Sequence, residues 1–473
     1  MKEASQKTCD VFKFCLAVGI TVTFLCDFPS TQAASDGESG NEEKGSGTHQ
    51  KLLIIMLDGF RWDYYKSQKD ELIAFPMFLQ EGVQAEWVEP VFPSLSYPCW
   101  TTISTGVYPE VHGILGNYMF DLQKEAVFDI YNHTTTRDEH WWQNSEPIWT
   151  TATRHKRKAF LRYWSRCDVA FDQIKPDTCT GFSEARGVAA IKDTLRIAVE
   201  SLQKDYDLVM VYGEHIDNIG HKYGPESPEL KQAIRDVDSA LSDFLDQMLD
   251  TGLDEKVNTI IIGDHGMKGI GEASNVTYLS LDDYIHASDV YKVLDRGAAF
   301  AITPYAKRID QVYEGLKGKE GFDVYRREEI PEHFHYKENR LVQDILVVAQ
   351  PNYFIRGLTE SWKQIPRDPP NIQYWGGTHG YPNMTEMRTI FFAKGPGFKK
   401  GLVHPPIQLV DLYQIFAHLL DIPARPHNGS WASVSGMLTS RSAREAVCDL
   451  CIIIFTMCLS LFNFVHYPGR MHI

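Results

Sequence analysis

Three short apolar runs, each ending in side chains able to bind a metal ion, constrain this chain more than any other feature. Leu52 to Leu57 is unbroken and stops at Asp58-Gly59. Leu208 to Tyr212 leads into Gly213-Glu214-His215-Ile216-Asp217, and Thr259 to Ile262 leads into Gly263-Asp264-His265-Gly266. Runs of this length without polar alternation are the pattern of strands buried on both faces. Each delivers its polar residues at a strand's C-terminal end, where open α/β sheets place their sites. Between the second and third runs, Ser227-Pro228 reads as an N-cap with Pro at the first helical position. Leu230, Ile234, Val237, Leu241, Phe244, Leu245 and Met248 then make one apolar helix face, closed by Gly252. A second apolar helix is expected near Leu409 to Leu420, stopping before Pro423. The alternation predicts an α/β fold: a doubly wound, mostly parallel sheet with helices on both faces.

A length of 473 residues suits one large α/β domain or two ordinary ones. At 43% hydrophobic residues the chain can bury a sizeable core, which excludes wholesale disorder and a fibrous protein. The formal net charge of −15 argues against a surface that wraps nucleic acid, because neutralising phosphates needs a positive face.

The ends read as addresses. Lys2, Lys7 and Lys13 precede an apolar run from Phe14 to Cys26, followed by Ala33 and Ala34, so residues 1–34 are expected to be a signal peptide; an uncleaved anchor is the alternative. Residues 35–50, rich in Gly, Ser and Glu, read as a flexible linker. Residues 436–473 form a hydrophobic tail in which Val447 to Val465 follows Ser440 and Ser442. Small site, spacer and apolar run fit a GPI-attachment signal, although the chain continues to Ile473 with Arg470. A single-pass helix and a buried C-terminal helix are the competing readings. The expectation is a cell-surface protein facing outside, GPI-anchored in preference to single-pass. Sequons at Asn132, Asn275, Asn383 and Asn428 agree with a secreted route. Of the cysteines, Cys99, Cys167 and Cys179 remain between the two ends. Cys167 and Cys179 close a short loop and are the expected disulfide in an oxidising compartment, leaving Cys99 free.

The polar residues at the strand ends are unusual as a group. Asp217 and His221 are four apart, so a helical turn would place them on one face. Asp264 and His265 are adjacent after a strand, Asp58 ends the first strand, and His379 sits in Gly376-Gly377-Thr378-His379-Gly380-Tyr381. Taken singly, Asp58 can cap a helix and His379 can be an ordinary loop histidine. Together they offer oxygen and imidazole ligands without thiolate, as an open catalytic zinc site would use, and suffice for two sites. The segment Phe92-Pro93-Ser94-Leu95-Ser96-Tyr97-Pro98 supplies a hydroxyl in a Pro-punctuated turn. Serine is a weak nucleophile at neutral pH, and metal coordination can activate it without a Ser-His-Asp triad. No Gly-x-Ser-x-Gly elbow surrounds Ser96, which counts against an α/β-hydrolase.

These motifs, Leu57-Asp58-Gly59-Phe60, the Phe92 to Pro98 segment, His112-Gly113-Ile114-Leu115-Gly116-Asn117, Asp217-Asn218-Ile219-Gly220-His221, Gly263-Asp264-His265-Gly266-Met267 and Thr378-His379-Gly380, together resemble the ectonucleotide pyrophosphatase/phosphodiesterase family of the alkaline phosphatase superfamily. The resemblance covers residues 51–435, expected to be one phosphodiesterase catalytic domain with an alkaline-phosphatase-like fold. It implies two zinc ions about 4 Å apart flanking an in-line displacement at phosphorus. By motif, Asp217, His221 and His379 would hold one zinc; Asp58, Asp264 and His265 would hold the other, with Ser96 bound to it as the attacking group. Asn117 would donate to a nonbridging phosphate oxygen. A phospho-serine intermediate would follow, released by water at the Asp217 side.

Within the family, Ser94-Leu95-Ser96-Tyr97-Pro98, Gly116-Asn117-Tyr118-Met119 and Tyr163-Trp164 look most like the choline-specific glycerophosphodiesterase branch. That implies phospholipase C-type release of phosphocholine from glycerophosphocholine or lysophosphatidylcholine-like substrates. A trimethylammonium group needs an aromatic cage, since cation–π contact contributes roughly 0.5–2 kcal/mol. Tyr97, Trp100, Tyr118, Tyr163, Trp164 and Tyr212 are candidates by position, with Tyr118 and Tyr212 preferred; core packing is the plainer role for each. Three departures bear on substrate and assembly. Cys99 stands where that branch has Asn, Gly377-Thr378 precedes His379 in place of Gly-Trp, and no cysteine lies near Gly436 to support a covalent dimer. A homodimer stays open. The cysteine-rich modules and nuclease-like domain of larger relatives are missing from this sequence. The alternatives are a nucleotide pyrophosphatase or phosphodiesterase of the same fold, and an inactive surface receptor or adhesion protein, which predicts broken ligand motifs.

Overall fold

The computed structural model describes residues 50–182, 187–359, 362–367 and 375–440. The expected signal peptide, the linker up to residue 49 and the tail from residue 441 lie outside the described residues. Among the described residues no helix is long and apolar enough to cross a membrane.

The central sheet has eight strands: β1 Lys51–Leu57, β2 Gly82–Ala85, β3 Ala159–Arg162, β4 Thr178–Thr180, β5 Leu208–Gly213, β6 Val257–Ile262, β7 Phe391–Lys394 and β8 Leu402–His404. Their spatial order is β8-β2-β7-β6-β1-β5-β3-β4. Strands β1, β5 and β6 are parallel neighbours, and β7 alone runs against the rest. The three apolar runs therefore lie side by side in the middle of a mostly parallel sheet. Central strands of this kind must be apolar throughout, because helices cover both faces.

Strand β1 shows this directly. Leu52, Ile54 and Met56 point into one core, while Leu53, Ile55 and Leu57 point into the other. The helices that matter below are α1 Ala74–Glu81, α2 Ser96–Thr105, α3 Val188–Gln203, α4 His215–Tyr223, α5 Pro228–Asp250 and α6 Leu412–Leu419. Helices α2 and α6 pack in the first core; α1, α3 and α5 fill the second. The expected start of α5 holds: the Leu230 N–H donates to Ser227 Oγ at 3.1 Å, with Pro228 in the first turn. This cap contributes about 1 kcal/mol. The helix expected near Leu409 to Leu420 is shorter, with a 3₁₀ turn at Leu409–Asp411 before α6.

A second sheet, not foreseen from the sequence, inserts after β6. Its strands run 322–326, 345–349, 299–304, 290–294 and 364–365 in spatial order. It has its own core around Val293, Ile302, Ile345 and Val347. Its Ala299, Leu346 and Val348 instead join the first core of the central sheet, on the side that carries α2. The insertion thus shares a core with α2, the helix that begins at Ser96.

Candidate metal centre

The parallel register places Leu57 opposite Gly213 and Met56 opposite Ile262. Asp58, the start of α4 and the Asp264-His265 pair consequently emerge together. One turn into α4, Asp217 and His221 share a face, with His221 Nε2 3.4 Å from Asp217 Oδ2. His379 follows a two-residue antiparallel pairing of Lys268–Gly269 with Gly377–Thr378, which draws a segment distant in sequence to the sheet end.

All six expected ligands converge. Asp58 Oδ1 and Asp264 Oδ2 each lie 3.4 Å from His265 Nε2. His379 Nε2 lies 3.9 Å from Asp217 Oδ1 and 3.2 Å from His221 Nε2. Two sets of three ligand atoms cluster within 4.8 Å: Asp58, Asp264 and His265, and Asp217, His265 and His379. His265 borders both groups, its ring stacked on His379 at 3.6 Å between centroids. Ser96, the first residue of α2, brings Oγ to 3.2 Å from His265 Nε2.

The hydrogen bonds fix what these groups can do. His265 Nδ1 lies 2.9 Å from Gly266 O, His221 Nδ1 2.9 Å from Gly377 O, and His379 Nδ1 2.9 Å from Ser94 O. A carbonyl only accepts, so each Nδ1 carries the proton and each Nε2 presents a lone pair to the centre. Asp58 Oδ1 and Asp217 Oδ1 are buried with no hydrogen-bond partner. Burial, with Asp264 and Asp217 nearby, holds the Asp58 carboxyl well above the usual carboxylate range. Burial also raises Asp217, against the pull of His221 and His265. Burial, then the neighbouring His265 and His221, pushes His379 well below the usual imidazole value. Orphaned carboxylate oxygens and facing imidazole lone pairs are costly together unless a cation sits among them; a divalent ion would reverse the two carboxylate shifts and reinforce the neutral His379 imidazole. The donor set fits a metal such as zinc.

Backbone geometry contributes as well. Gly59 adopts φ +66°, and a Cβ there would meet Asp217 Oδ1 at 2.7 Å and its Cα at 2.8 Å. Only glycine lets β1 turn this close to α4. The Tyr97 N–H donates to Asn117 Oδ1 at 3.0 Å, so the Asn117 amide nitrogen is the end left to donate.

The aromatic residues divide. Tyr118 lines a small cavity of about 30 Å³ with Phe92, Leu95, Asp295 and Tyr336. Tyr212 is buried, and its hydroxyl donates to Asp58 Oδ2 at 2.5 Å. Trp100 Nε1 donates to Asp264 Oδ2 at 2.6 Å. Tyr97 and Trp164 are buried in the first core, with Tyr163 packed against it. Cys167 and Cys179 are disulfide-bonded and Cys99 is a buried free thiol, as expected. The four sequon asparagines, Asn132, Asn275, Asn383 and Asn428, are exposed.

Sequence reasoning missed Ser94. Its hydroxyl donates to Tyr381 O at 3.0 Å and accepts from the Gly380 N–H at 3.1 Å, while its carbonyl orients His379. Ser94 thereby ties the Ser96 segment to the His379 loop. Nothing in the residue type or spacing marks it, because every partner lies more than 280 residues away.

Residues 52–382 match the family described as type I phosphodiesterase / nucleotide pyrophosphatase. Human ectonucleotide pyrophosphatase/phosphodiesterase family member 5 is 32% identical over 400 residues, covering 84% of this chain and 79% of the relative. Human bis(5'-adenosyl)-triphosphatase is 30% identical over 403 residues, covering 84% of each chain. The solved structure of murine ectonucleotide pyrophosphatase / phosphodiesterase 5, an inactive form in complex with AMP, superposes with a TM-score of 0.74 at 32% identity, covering 82% of this chain and all of that one. With a mostly parallel α/β core, these likenesses show that the chain belongs to the type I phosphodiesterase / nucleotide pyrophosphatase family, with the alkaline-phosphatase-like fold.

Proposed function

We propose that this chain hydrolyses a phosphodiester or pyrophosphate bond of a small nucleotide, using Ser96 as nucleophile and two zinc ions held by Asp58, Asp264 and His265 and by Asp217, His221 and His379. The observation that carries the reading is the position of Ser96 Oγ, at the first residue of a helix and 3.2 Å from the imidazole that borders both metal groups. Bound zinc supplies Lewis-acid polarisation of the phosphoryl group and a lowered pKa for the serine hydroxyl. Ser96 Oγ attacks phosphorus as the bond to the leaving oxygen breaks, giving a phospho-serine. Water then attacks the same phosphorus and Ser96 Oγ departs. The Asn117 amide donates to a nonbridging oxygen as charge develops, and the N-terminus of α2 favours the anion. All six ligand positions are occupied by competent side chains, so an inactive receptor has no support here.

The nucleotide assignment rests on the AMP complex and the adenosyl-triphosphatase among the relatives. Choline phosphodiesters are the second reading, favoured by one observation: Asp295 and Tyr118 line one small cavity, which puts a carboxylate near an aromatic ring, the pairing that a trimethylammonium group needs. The hydroxyl of Tyr212, the other preferred cage residue, is directed to Asp58 instead. Zinc-loaded protein should release nucleoside monophosphate from a dinucleoside polyphosphate faster than phosphocholine from glycerophosphocholine. Ser96→Ala should lower turnover of either by at least about a thousandfold with metal content unchanged. Faster phosphocholine release would reverse the substrate order, and an active Ser96→Ala protein would remove the mechanism.

A further inference from the structure

Two aromatic side chains reach the same metal group from behind. Tyr212 Oη donates to Asp58 Oδ2 at 2.5 Å, and Trp100 Nε1 donates to Asp264 Oδ2 at 2.6 Å. The rings touch one another, with centroids 4.9 Å apart at 65°, and Phe182 packs on both. Trp100 and Tyr212 are 2% and 3% exposed, so neither offers a face to a substrate in solution. Trp100 comes from α2, the helix that begins with Ser96, whereas Tyr212 comes from β5, the strand that leads to Asp217. The carboxylates they hold come from the ends of β1 and β6.

We propose that Trp100 and Tyr212 are a pair of positioning residues that aim the Asp58 and Asp264 carboxylates at one metal ion. For Asp58 the consequence is geometric. With Oδ2 engaged by the phenol, Oδ1 is the oxygen left facing His265 at 3.4 Å, and it has no other partner. For Asp264, Oδ1 accepts the Gly59 N–H at 3.0 Å and the His265 N–H at 2.9 Å, so the indole fixes the oxygen that faces the centre. Both carboxylates therefore keep one rotamer before a metal arrives. The ring contact links the two donors, so displacing one moves the other. The Asp217 group is held differently, through carbonyls that orient His221 and His379. The aromatic pair thus acts on one metal group and not on its neighbour.

This inference rests on the reading that Asp58 and Asp264 hold a metal, and the experiment separates the two. Full-length protein is stripped and titrated with zinc against a chromophoric chelator, for wild type, Tyr212→Phe, Trp100→Phe and the double variant. Thermal unfolding of each zinc-free protein checks that the fold survives; Tyr212→Phe removes one oxygen and keeps the ring. Outer donors to metal ligands typically contribute 10- to 100-fold in affinity, so each single variant should lose roughly that at one of two zinc equivalents, leaving the other unchanged. In the double variant the two losses should fail to multiply, since the rings support each other. Wild type that binds no zinc would overturn the metal reading itself. Wild type that binds two while Tyr212→Phe binds both as tightly would overturn the positioning role alone, and so would equal weakening of both equivalents.

Discussion

Asp58, Asp217 and Asp264 crowd three acidic side chains into a buried space toward which His265, His379 and the half-buried His221 turn their Nε2 atoms. Each residue's contribution is set by what holds its far side: carbonyls for the imidazoles, backbone N–H groups, an indole and a phenol for two of the carboxylates. Asn117 follows the same logic, because the bond from the Tyr97 N–H leaves only its NH₂ for a substrate. Replacing one such oxyanion donor costs about 10²–10³ in kcat in comparable sites. Asn117→Ala should therefore lower kcat by that order, with KM and zinc content nearly unchanged in steady-state assays. A change confined to KM would mean that Asn117 binds the ground state only. The six proposed ligands are legible in the sequence because each follows an apolar run or sits in a glycine-rich turn. The partners behind them are not: Tyr212 and Asp58 are 154 residues apart, and Trp100 and Asp264 are 164 apart.

At the scale of elements, the loop that ends at Asn117 is anchored by a histidine outside the metal centre. His112 closes a one-turn helix at Pro109–His112 and is fully buried. Its Nδ1 accepts the Ile114 N–H at 3.1 Å, and its Nε2 lies 3.1 Å from Thr102 Oγ1 in α2. Thr102 Oγ1 donates to Val107 O, so the imidazole is the donor in that pair and is neutral. Burial, with Arg166 as a second cause, pushes its pKa down from 6.5 to about 3. In the unfolded chain the ring would gain a proton below pH 6.5, whereas in the fold it would not until about pH 3. The stabilisation is thus fully present above pH 6.5 and is lost as pH falls toward about 3, by up to about 1.4 kcal/mol per unit. Urea unfolding of wild type and His112→Gln between pH 4 and 7 checks this: the variant should be less stable at pH 7 and show a shallower acid slope. Parallel slopes would show that other groups carry the acid sensitivity.

For the whole molecule, the metal centre joins β1, β5 and β6, helices α2 and α4, and the loop after Thr378, so its occupancy should register in global stability. A ligand at a thousandfold its Kd stabilises a fold by about 4 kcal/mol. Chelation should accordingly lower Tm by several degrees in calorimetry, and zinc but not magnesium should restore it, because imidazole ligands suit the former. Equal melting with and without zinc would sink the metal assignment. The sequence by itself determined the α/β class, the three central strands, α5 with its Ser227 cap, and which six acidic and imidazole residues would gather at the centre. Those features are local, since an unbroken apolar run or a 3.6-residue stripe carries its own signal. Only the tertiary structure decided the edge strands, the five-stranded insertion, the role of Ser94, and the use of Tyr212 and Trp100 as supports for carboxylates. The edge strands β8 and β4 are only three residues long each, too short for periodicity to register. The supports depend on pairings across more than 150 residues, and a hydrogen-bond donor's purpose is set by which acceptor the fold brings within about 3 Å.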